Sequence, residues 1–288
     1  MVPVPVSGVR RHAIAPRTAR GLALSCHPLP TLAVTAMATV LLVVVGNPPG
    51  TCAVGAAAVL TGQLSIGWSN DLVDSRRDLA AGRRDKPVAA GFVAARIAGT
   101  ATALALTATV PLSLALGWRA GVTHLFGVAC GWLYNVWLKS TPLSPLPFLA
   151  AFASLPAVAT LALPSHPWPP VWAMVASGLI GGAAHFGNVL PDLDEDARTG
   201  ISGLPHRIGT RGTAALAAAT GVAATVAVIA GSGADSATSW AMLAIVVALT
   251  AGGMVAVRRR AGSEAAFYTT MLVAAINVAF IATTSGLA

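Results

Sequence analysis

The feature that most constrains this chain is a series of apolar runs, each about as long as a bilayer is thick. A helix needs about 20 apolar residues to cross the hydrocarbon core of a membrane. We count nine such runs, at about residues 30–47, 52–70, 92–116, 120–138, 143–163, 169–190, 212–231, 237–257 and 265–286. Only 10% of the residues are charged. We therefore predict an all-α, polytopic membrane protein with about nine transmembrane helices in one bundle.

The basic residues lie between these runs in a pattern that indicates orientation. With nine spans and a cytoplasmic N-terminus, 17 of the 18 lysines and arginines fall on the cytoplasmic side, and only Arg119 falls outside. Cations favour cytoplasmic loops, so this pattern explains the net charge of +8 without nucleic acid, which we exclude as a partner. We expect residues 1–28 to form a flexible basic cytoplasmic tail and residues 29–288 to form the transmembrane domain.

Two polar segments repeat the pattern N-x-L-x-D-x3-D-x3-G-x4-P-x3-G at an offset of 118 residues, starting at Asn70 and Asn188. These segments and their immediate neighbours hold eight of the ten acidic residues. The offset covers four predicted spans. We therefore expect two pseudo-repeated four-helix halves in parallel orientation plus a final helix, with both polar segments on the cytoplasmic face.

In each segment the Asn and the two Asp residues are spaced at i, i+4 and i+8, which places them on one face of a helix. Carboxylates at this spacing repel one another, and charges near a bilayer need a partner. Hard cations between two facing rows supply that partner, and Mg²⁺ prefers oxygen ligands with substrate phosphates. The alternative, a solvated polar cap at a helix end, does not explain why the polar residues repeat while the apolar ones differ.

The residues Asn70-Asp71-x2-Asp74-x3-Asp78 resemble the first motif of the UbiA superfamily of intramembrane prenyltransferases, and Asp192-x3-Asp196 is similar to its second motif. The resemblance extends over nearly the whole chain and implies binding of a prenyl diphosphate through Mg²⁺ held by both motifs. Together with the repeat, it gives a metal-binding set of Asn70, Asp71, Asp74, Asp78, Asn188, Asp192 and Asp196.

Two departures from the family pattern concern catalysis. Asn188 is followed by Val189 rather than Asp, and the Tyr-x3-Lys pair of the family is one residue longer here, between Tyr134 and Lys139. The resemblance still implies that Lys139 reaches the diphosphate. We expect the catalytic residues to be Asn70, Asp74, Asp192, Lys139 and Tyr134. We expect the diphosphate to be bound by Arg76, Arg77, Arg83, Arg84, Lys86, Lys139 and Arg207.

This interpretation predicts transfer of an isoprenyl group to an aromatic or other lipophilic acceptor, through a carbocation-like centre in a dry cavity. Aromatic rings stabilise such a centre, and the candidates are Trp68, Trp132, Tyr134, Trp137 and Phe186. His185 is a candidate acceptor anchor or base, whereas Asp194 and Glu195 fall outside the acidic face. Terpene cyclisation and polyprenyl-phosphate glycosyl or phosphoribosyl transfer remain alternatives on this scaffold. A non-catalytic transporter is a weaker one, because mid-membrane polar residues are few.

Overall fold

The computed structural model describes residues 9–83, 86–260, 263–283 and 287, with side chains from residue 17 onward. Within these ranges the chain is helical and contains no strand. The α-helices are α1 (Val9–Ser25), α2 (Pro28–Val44), α3 (Pro49–Ala80), α4 (Ala95–Leu114), α5 (Trp118–Val136), α6 (Leu146–Leu161), α7 (Val171–Val189), α8 (Leu193–Arg198), α9 (Leu204–Ser232), α10 (Ala237–Arg259) and α11 (Ala265–Thr283).

Each of the nine predicted apolar runs corresponds to one of the helices α2 to α7 and α9 to α11. By length and hydropathy, six segments of the described chain can cross a membrane, and a seventh is added if the bent pair Arg17–Ser25 and Pro28–Val44 counts as one span. Helix α6 is apolar but shorter than these segments. The all-helical architecture is therefore confirmed, while the number of nine spans stays a prediction.

The helix bounds reproduce the sequence repeat. When the bounds of α2, α3, α4 and α5 are shifted by 118 residues, they overlap α6, α7 together with α8, α9 and α10, respectively. Helix α11 has no counterpart in the first half. The repeated glycines share a backbone conformation: φ is +70° at Gly82 and +90° at Gly200, and +74° at Gly91 and +72° at Gly209. Positive φ is readily adopted only by glycine. Gly82 and Gly200 follow the ends of α3 and α8, whereas Gly91 lies in the turn before α4 and Gly209 at a kink in α9.

The helices form a closed arrangement around a cavity. Successive helices of the bundle pack on each other, and α11 contacts both α2 and α7, which closes the ring. The core between α2, α3, α6, α7, α9 and α11 is built from aliphatic side chains such as Leu41, Val59 and Val228. Leucines, valines and phenylalanines on the outer faces of α4 and α5 are exposed, as a helix surface in lipid requires.

Candidate functional site

The first acidic segment lies on the last turns of α3, which continues without a break to Ala80. Asn70, Asp74 and Asp78 therefore share one helix face, as the spacing predicted. Asp71 lies about 100° around the helix from Asn70 and faces the junction between α1 and α2. Its Oδ1 is 4.0 Å from His27 Nε2. Asp71, Asp74 and Asp78 are all buried.

Cations contact two of the buried carboxylates of this segment, those of Asp74 and Asp78. Lys139 Nζ contacts Asp74 Oδ1, and Arg77 Nη2 lies 3.0 Å from Asp74 Oδ2 and 3.3 Å from Asp78 Oδ1. Lys139 follows the end of α5 on a 3₁₀ turn, Leu138–Ser140, and this turn carries the extra residue of the Tyr134–Lys139 spacing. Burial lowers the pKa of Lys139, and the Asp74 carboxylate acts in the opposite direction.

The second acidic segment differs from our prediction of a single continuous helix. Helix α7 ends at Val189, a 3₁₀ turn covers Leu190–Asp192, and α8 begins at Leu193. Pro191 lies in this turn, and proline has no backbone N–H with which to continue the α-helical hydrogen bonds. Asn188, Asp192 and Asp196 therefore lie on α7, on the 3₁₀ turn and on α8, respectively.

Side chains from the first segment reach the second. Arg83, just beyond α3, places Nη2 3.4 Å from Asp192 Oδ1 and Nε 3.2 Å from Glu195 Oε1. Glu195, which we expected to lie outside the site, is thus paired with a basic residue of the first segment. Asp196 Oδ2 lies 3.9 Å from His206 Nε2 at the start of α9.

The loop between α8 and α9 contacts the backbone of the turn that follows α5. Ser202 Oγ donates a hydrogen bond to Ser140 O at 3.0 Å. A Cβ atom on Gly203 would lie 2.5 Å from Lys139 O, so only glycine permits this approach. The segment after α8 is therefore held against the turn that carries Lys139, and both acidic segments lie at the same end of the bundle.

Asn135 is a polar residue of this region that the repeat did not identify. It accepts a hydrogen bond from Asn70 Nδ2 at 3.0 Å and donates to Ile66 O at 2.8 Å and to Ser69 Oγ at 2.9 Å. The side-chain amide of Asn70 is therefore fixed by α5. The sequence offered one indication of this role: Asn135 lies one helical turn before Lys139, and an amide buried in an apolar helix needs a hydrogen-bond partner.

A cavity of about 560 Å³ opens between α2, α3, α5, α6, α7 and α11. Asn70, Tyr134, Asn135 and Asn188 line the cavity near the acidic segments. Met37, Val40, Phe152, Val278 and Ala279 line it farther along the helices. The arrangement is an apolar chamber with a polar entrance, which suits a molecule with a charged head and an apolar tail.

The aromatic candidates occupy different positions. Tyr134 lines the cavity, and its ring lies edge-on to Phe148 at 5.0 Å and to His185 at 5.7 Å between centroids. His185 also packs against Phe186, and its Nε2 is 3.2 Å from Ser144 Oγ. Neither His185 nor Phe186 is among the cavity-lining residues of the described chain.

In the part of the chain that the structure describes, the three candidate tryptophans, Trp68, Trp132 and Trp137, do not line the cavity. Trp68 Nε1 donates to Leu22 O at 2.8 Å, and Trp132 Nε1 donates to Ser65 Oγ at 3.2 Å. Trp137 is 64% exposed. These contacts assign the tryptophans to helix packing and to the outer surface.

The remaining predicted diphosphate-binding residues are less closely connected to the acidic groups. Arg76 is exposed on α3, and Lys86 is half-buried after it. Arg207 is exposed and donates through Nε to Ser202 O at 2.9 Å. Arg84 lies outside the described residues. Among the residues that the structure describes, the cations in direct contact with motif carboxylates are Arg77, Arg83 and Lys139.

The donor atoms of the two segments suit a hard divalent cation. They are carboxylate and amide oxygens, which Mg²⁺ prefers, and it commonly completes its shell with water and substrate phosphate oxygens. Within the described residues, no three His, Cys, Asp or Glu side chains are grouped closely enough to hold a metal by themselves. A site of this composition therefore fits an ion that is shared with a phosphate ligand.

Comparison with known proteins agrees with this architecture. No curated protein sequence matches the chain significantly. Among solved structures, an apo UbiA homologue from Aeropyrum pernix K1 superposes with a TM-score of 0.68 at 20% identity, covering 87% of this chain and 96% of that one. A UbiA homologue from Archaeoglobus fulgidus bound to GPP and Mg²⁺ gives a TM-score of 0.65 at 13% identity, with coverages of 90% and 97%.

The same Archaeoglobus fulgidus homologue bound to DMAPP and Mg²⁺ gives a TM-score of 0.66 at 14% identity, covering 91% of this chain and 99% of that one. At these identities the likeness establishes the fold. The sequence model of the UbiA prenyltransferase family matches residues 29–283, which is most of the chain. The chain therefore belongs to the UbiA prenyltransferase family.

Proposed function

We propose that this protein transfers an isoprenyl group from a prenyl diphosphate to an aromatic or other lipophilic acceptor within the membrane, with Mg²⁺ as cofactor. One observation carries the proposal: Asn70 and Asn188, the first residues of the two acidic segments, line one largely apolar cavity of about 560 Å³. Homologues of this fold from Archaeoglobus fulgidus bind GPP or DMAPP together with Mg²⁺. The orientation deduced from the basic residues places the entrance on the cytoplasmic side.

The proposed metal ligands are Asn70, Asp71, Asp74, Asp78, Asn188, Asp192 and Asp196. When bound there, Mg²⁺ stabilises negative charge on phosphate oxygens. The protein's own cations act on the same charge: Arg77, Arg83 and Lys139 already lie against the carboxylates and are placed to hold the diphosphate as well. Arg76, Arg84, Lys86 and Arg207 complete the proposed basic set.

In the reaction, the bond between the allylic carbon and the diphosphate oxygen breaks, and its electron pair leaves with the diphosphate. The apolar walls exclude water from the resulting cation-like carbon, and the Tyr134 ring provides a π-face beside it. An electron-rich atom of the acceptor then bonds to that carbon, and the acceptor loses a proton. Groups fixed before the reaction stabilise developing charge most effectively, and Asn135 fixes Asn70 in this way.

The proposal is tested with purified protein, Mg²⁺ and prenyl diphosphates of C5 to C20, each with and without candidate acceptors. We expect diphosphate release that depends on Mg²⁺ and on the acceptor, with a prenylated product of the corresponding mass. Release without any acceptor would favour cyclisation or hydrolysis on this scaffold. Absence of release with every donor would contradict the proposed reaction.

A further inference from the structure

We infer that the acceptor carries a hydroxyl or carbonyl group on its side remote from the acidic segments, and that the side-chain amide of Gln63 binds this group. The inference rests on the proposed function, because it specifies how the second substrate lies in the same cavity. Gln63 lines the cavity from α3 and belongs to neither acidic segment.

The position of Gln63 on α3 places it deeper in the cavity than the acidic segment of the same helix. Gln63 precedes Asn70 by seven residues, or about two turns, so both side chains lie on one face of α3. Both residues line the cavity, as does Ile66 between them. The helical rise separates Gln63 from Asn70 by about 10 Å along the axis. A molecule that contacts both therefore extends along α3.

The Gln63 amide differs from most polar groups of the cavity wall because it has no partner in the protein. Thr31 Oγ1 donates to Cys26 O at 2.7 Å, and Thr270 Oγ1 donates to Ala266 O at 2.8 Å. Within the described residues the Gln63 amide makes no hydrogen bond. Gln63 is half-buried, and its amide atoms are not among the enclosed unpaired atoms of the described chain. The amide is therefore accessible from the cavity.

An amide in this setting calls for a polar partner. Leaving an amide unpaired in apolar surroundings is unfavourable, and a glutamine inside a membrane bundle ordinarily bonds to a neighbouring helix. The prenyl chain of the donor is a hydrocarbon and offers no such partner. The amide of Gln63 supplies two N–H donors and one carbonyl acceptor, which suit a hydroxyl or carbonyl group. In the loaded cavity that group belongs to the acceptor.

The wall beside Gln63 leaves room for a ring. Gly127 and Gly131 lie about one turn apart on α5, and both line the cavity. A Cβ on Gly131 would lie 2.5 Å from Ile66 Cδ1, so α5 runs against α3 at the depth of Gln63. Because neither glycine has a side chain, the cavity is wide at this depth. A flat acceptor therefore fits against α3 and α5.

The opposite requirement, an apolar surface for the prenyl chain, is met by another helix. The residues of α11 that line the cavity are Phe267, Thr270, Met271, Ala274, Ala275, Val278 and Ala279. The one hydroxyl among them, that of Thr270, is bonded to its own helix. We therefore place the prenyl chain along α11 and the acceptor along α3.

Packing on the other faces of α3 holds Gln63 toward the cavity. A Cβ on Gly62 would lie 2.9 Å from Val128 Cγ2 on α5, so the two helices are in close contact there. Thr61 Oγ1 accepts a hydrogen bond from Thr109 Oγ1 on α4 at 3.0 Å. These two contacts fix the rotation of α3 immediately before Gln63. The amide is thus positioned by the fold before any ligand binds.

The test measures binding of 2-naphthol and 2-methylnaphthalene to the full-length protein without donor, by isothermal titration in one detergent. The ratio of the two affinities is the preference for the hydroxyl compound. The change of this ratio between two proteins does not depend on how the compounds partition into the detergent. We expect Gln63→Met, which keeps the length of the side chain, to lower the preference at least about fivefold, the effect of one lost hydrogen bond.

Further variants separate binding from folding. Gln63→Asn keeps an amide on a shorter side chain and should retain part of the preference. Asn277→Leu is the matched control, because the Asn277 amide donates to Val273 O at 2.9 Å and does not line the cavity of the described chain. The thermal transition and the affinity for geranyl thiodiphosphate should stay unchanged in Gln63→Met. If that variant does not fold, Gln63→Leu gives the same comparison. A preference equal to that of the wild-type protein would overturn the assignment.

These outcomes are distinguishable from failure of the proposed reaction. If the protein released no diphosphate with any donor, the proposed reaction would fail, while the preference would still decide whether Gln63 binds a polar group. If transfer occurred and the apolar variant kept the wild-type preference, the proposed reaction would stand and the role of Gln63 would fall. With an acceptor that is turned over, Gln63→Met should raise the acceptor KM and leave the donor KM unchanged.

Discussion

Arg83 links the two acidic segments, since its Nη2 lies 3.4 Å from Asp192 Oδ1 although the residues are 109 positions apart in the chain. Its Nε is 3.2 Å from Glu195 Oε1, so one guanidinium contacts two carboxylates of the second segment. Only 8% of the Arg83 side chain is exposed. The two segments therefore meet at one end of the bundle, which a shared ligand requires.

Arg83→Gln removes the charge that joins these segments and should raise the donor KM by about tenfold, because charge-assisted hydrogen bonds are lost. Arg83→Lys should recover only part of the affinity, since an ammonium lacks the planar fork that contacts two carboxylates. Steady-state kinetics with varied donor measure both effects. Arg119→Gln is the control, because Arg119 packs over the Trp118 ring. An unchanged KM in Arg83→Gln would contradict a role in the site.

Asp74→Asn and Asp192→Asn should each lower turnover by about a hundredfold or more, because each removes a proposed ligand of the ion that holds the diphosphate. The substitutions keep the shape of the side chain, and product formation under saturating Mg²⁺ measures them. Asp235→Asn is the matched control: Asp235 Oδ1 accepts a hydrogen bond from Trp240 Nε1 at 2.7 Å, which an amide oxygen can also accept. Full turnover in either motif variant would remove that residue from the metal set.

Lys139→Met should weaken donor binding by about tenfold or more, since it removes a buried cation and leaves Asp74 with less compensation. Lys139→Arg retains the charge and should bind the donor more tightly than Lys139→Met. Equilibrium binding of an unreactive donor analogue distinguishes this effect from a change in the chemical step. Equal affinities for the wild-type protein and Lys139→Met would show that Lys139 serves the fold only.

Ala279→Phe should restrict the length of the donor chain that the protein accepts. The cavity wall on α11 includes both Phe267 and Ala279, which are about 18 Å apart along the helix. A phenyl group at Ala279 would fill the end of the cavity remote from the acidic segments. We expect the ratio of C20 to C5 donor turnover to fall by at least about tenfold. Leu272→Phe on the exposed face of α11 is the control. An unchanged ratio in Ala279→Phe would show that the prenyl chain of the donor does not lie against Ala279.

Local periodicity was sufficient to predict much of the site. The apolar runs predicted the helices of the bundle, and the i, i+4, i+8 spacing placed Asn70, Asp74 and Asp78 on one face of α3. These properties depend on residues within a few turns of one another. For the second segment the same spacing did not predict the 3₁₀ turn at Leu190–Asp192, where Pro191 interrupts the regular α-helix between Asn188 and Asp196.

Local residue spacing could not predict contacts between distant parts of the chain. Asn135 and Asn70 are 65 positions apart, and their hydrogen bond depends on how α5 packs against α3. The position of His27 depends on the bend between α1 and α2, for which the sequence offers no periodic signal. The pairing of Glu195 with Arg83 likewise depends on how two loops meet.

The central claim is that both acidic segments hold one diphosphate through Mg²⁺ at the entrance of the cavity. Its most direct test is an experimental structure of the full-length protein with Mg²⁺ and geranyl thiodiphosphate, an unreactive donor analogue. Our account predicts a diphosphate bridged by Mg²⁺ to Asp74 and Asp192, with the geranyl chain in the cavity between α2 and α11. A diphosphate bound by only one segment, or a chain that lies outside the cavity, would contradict it.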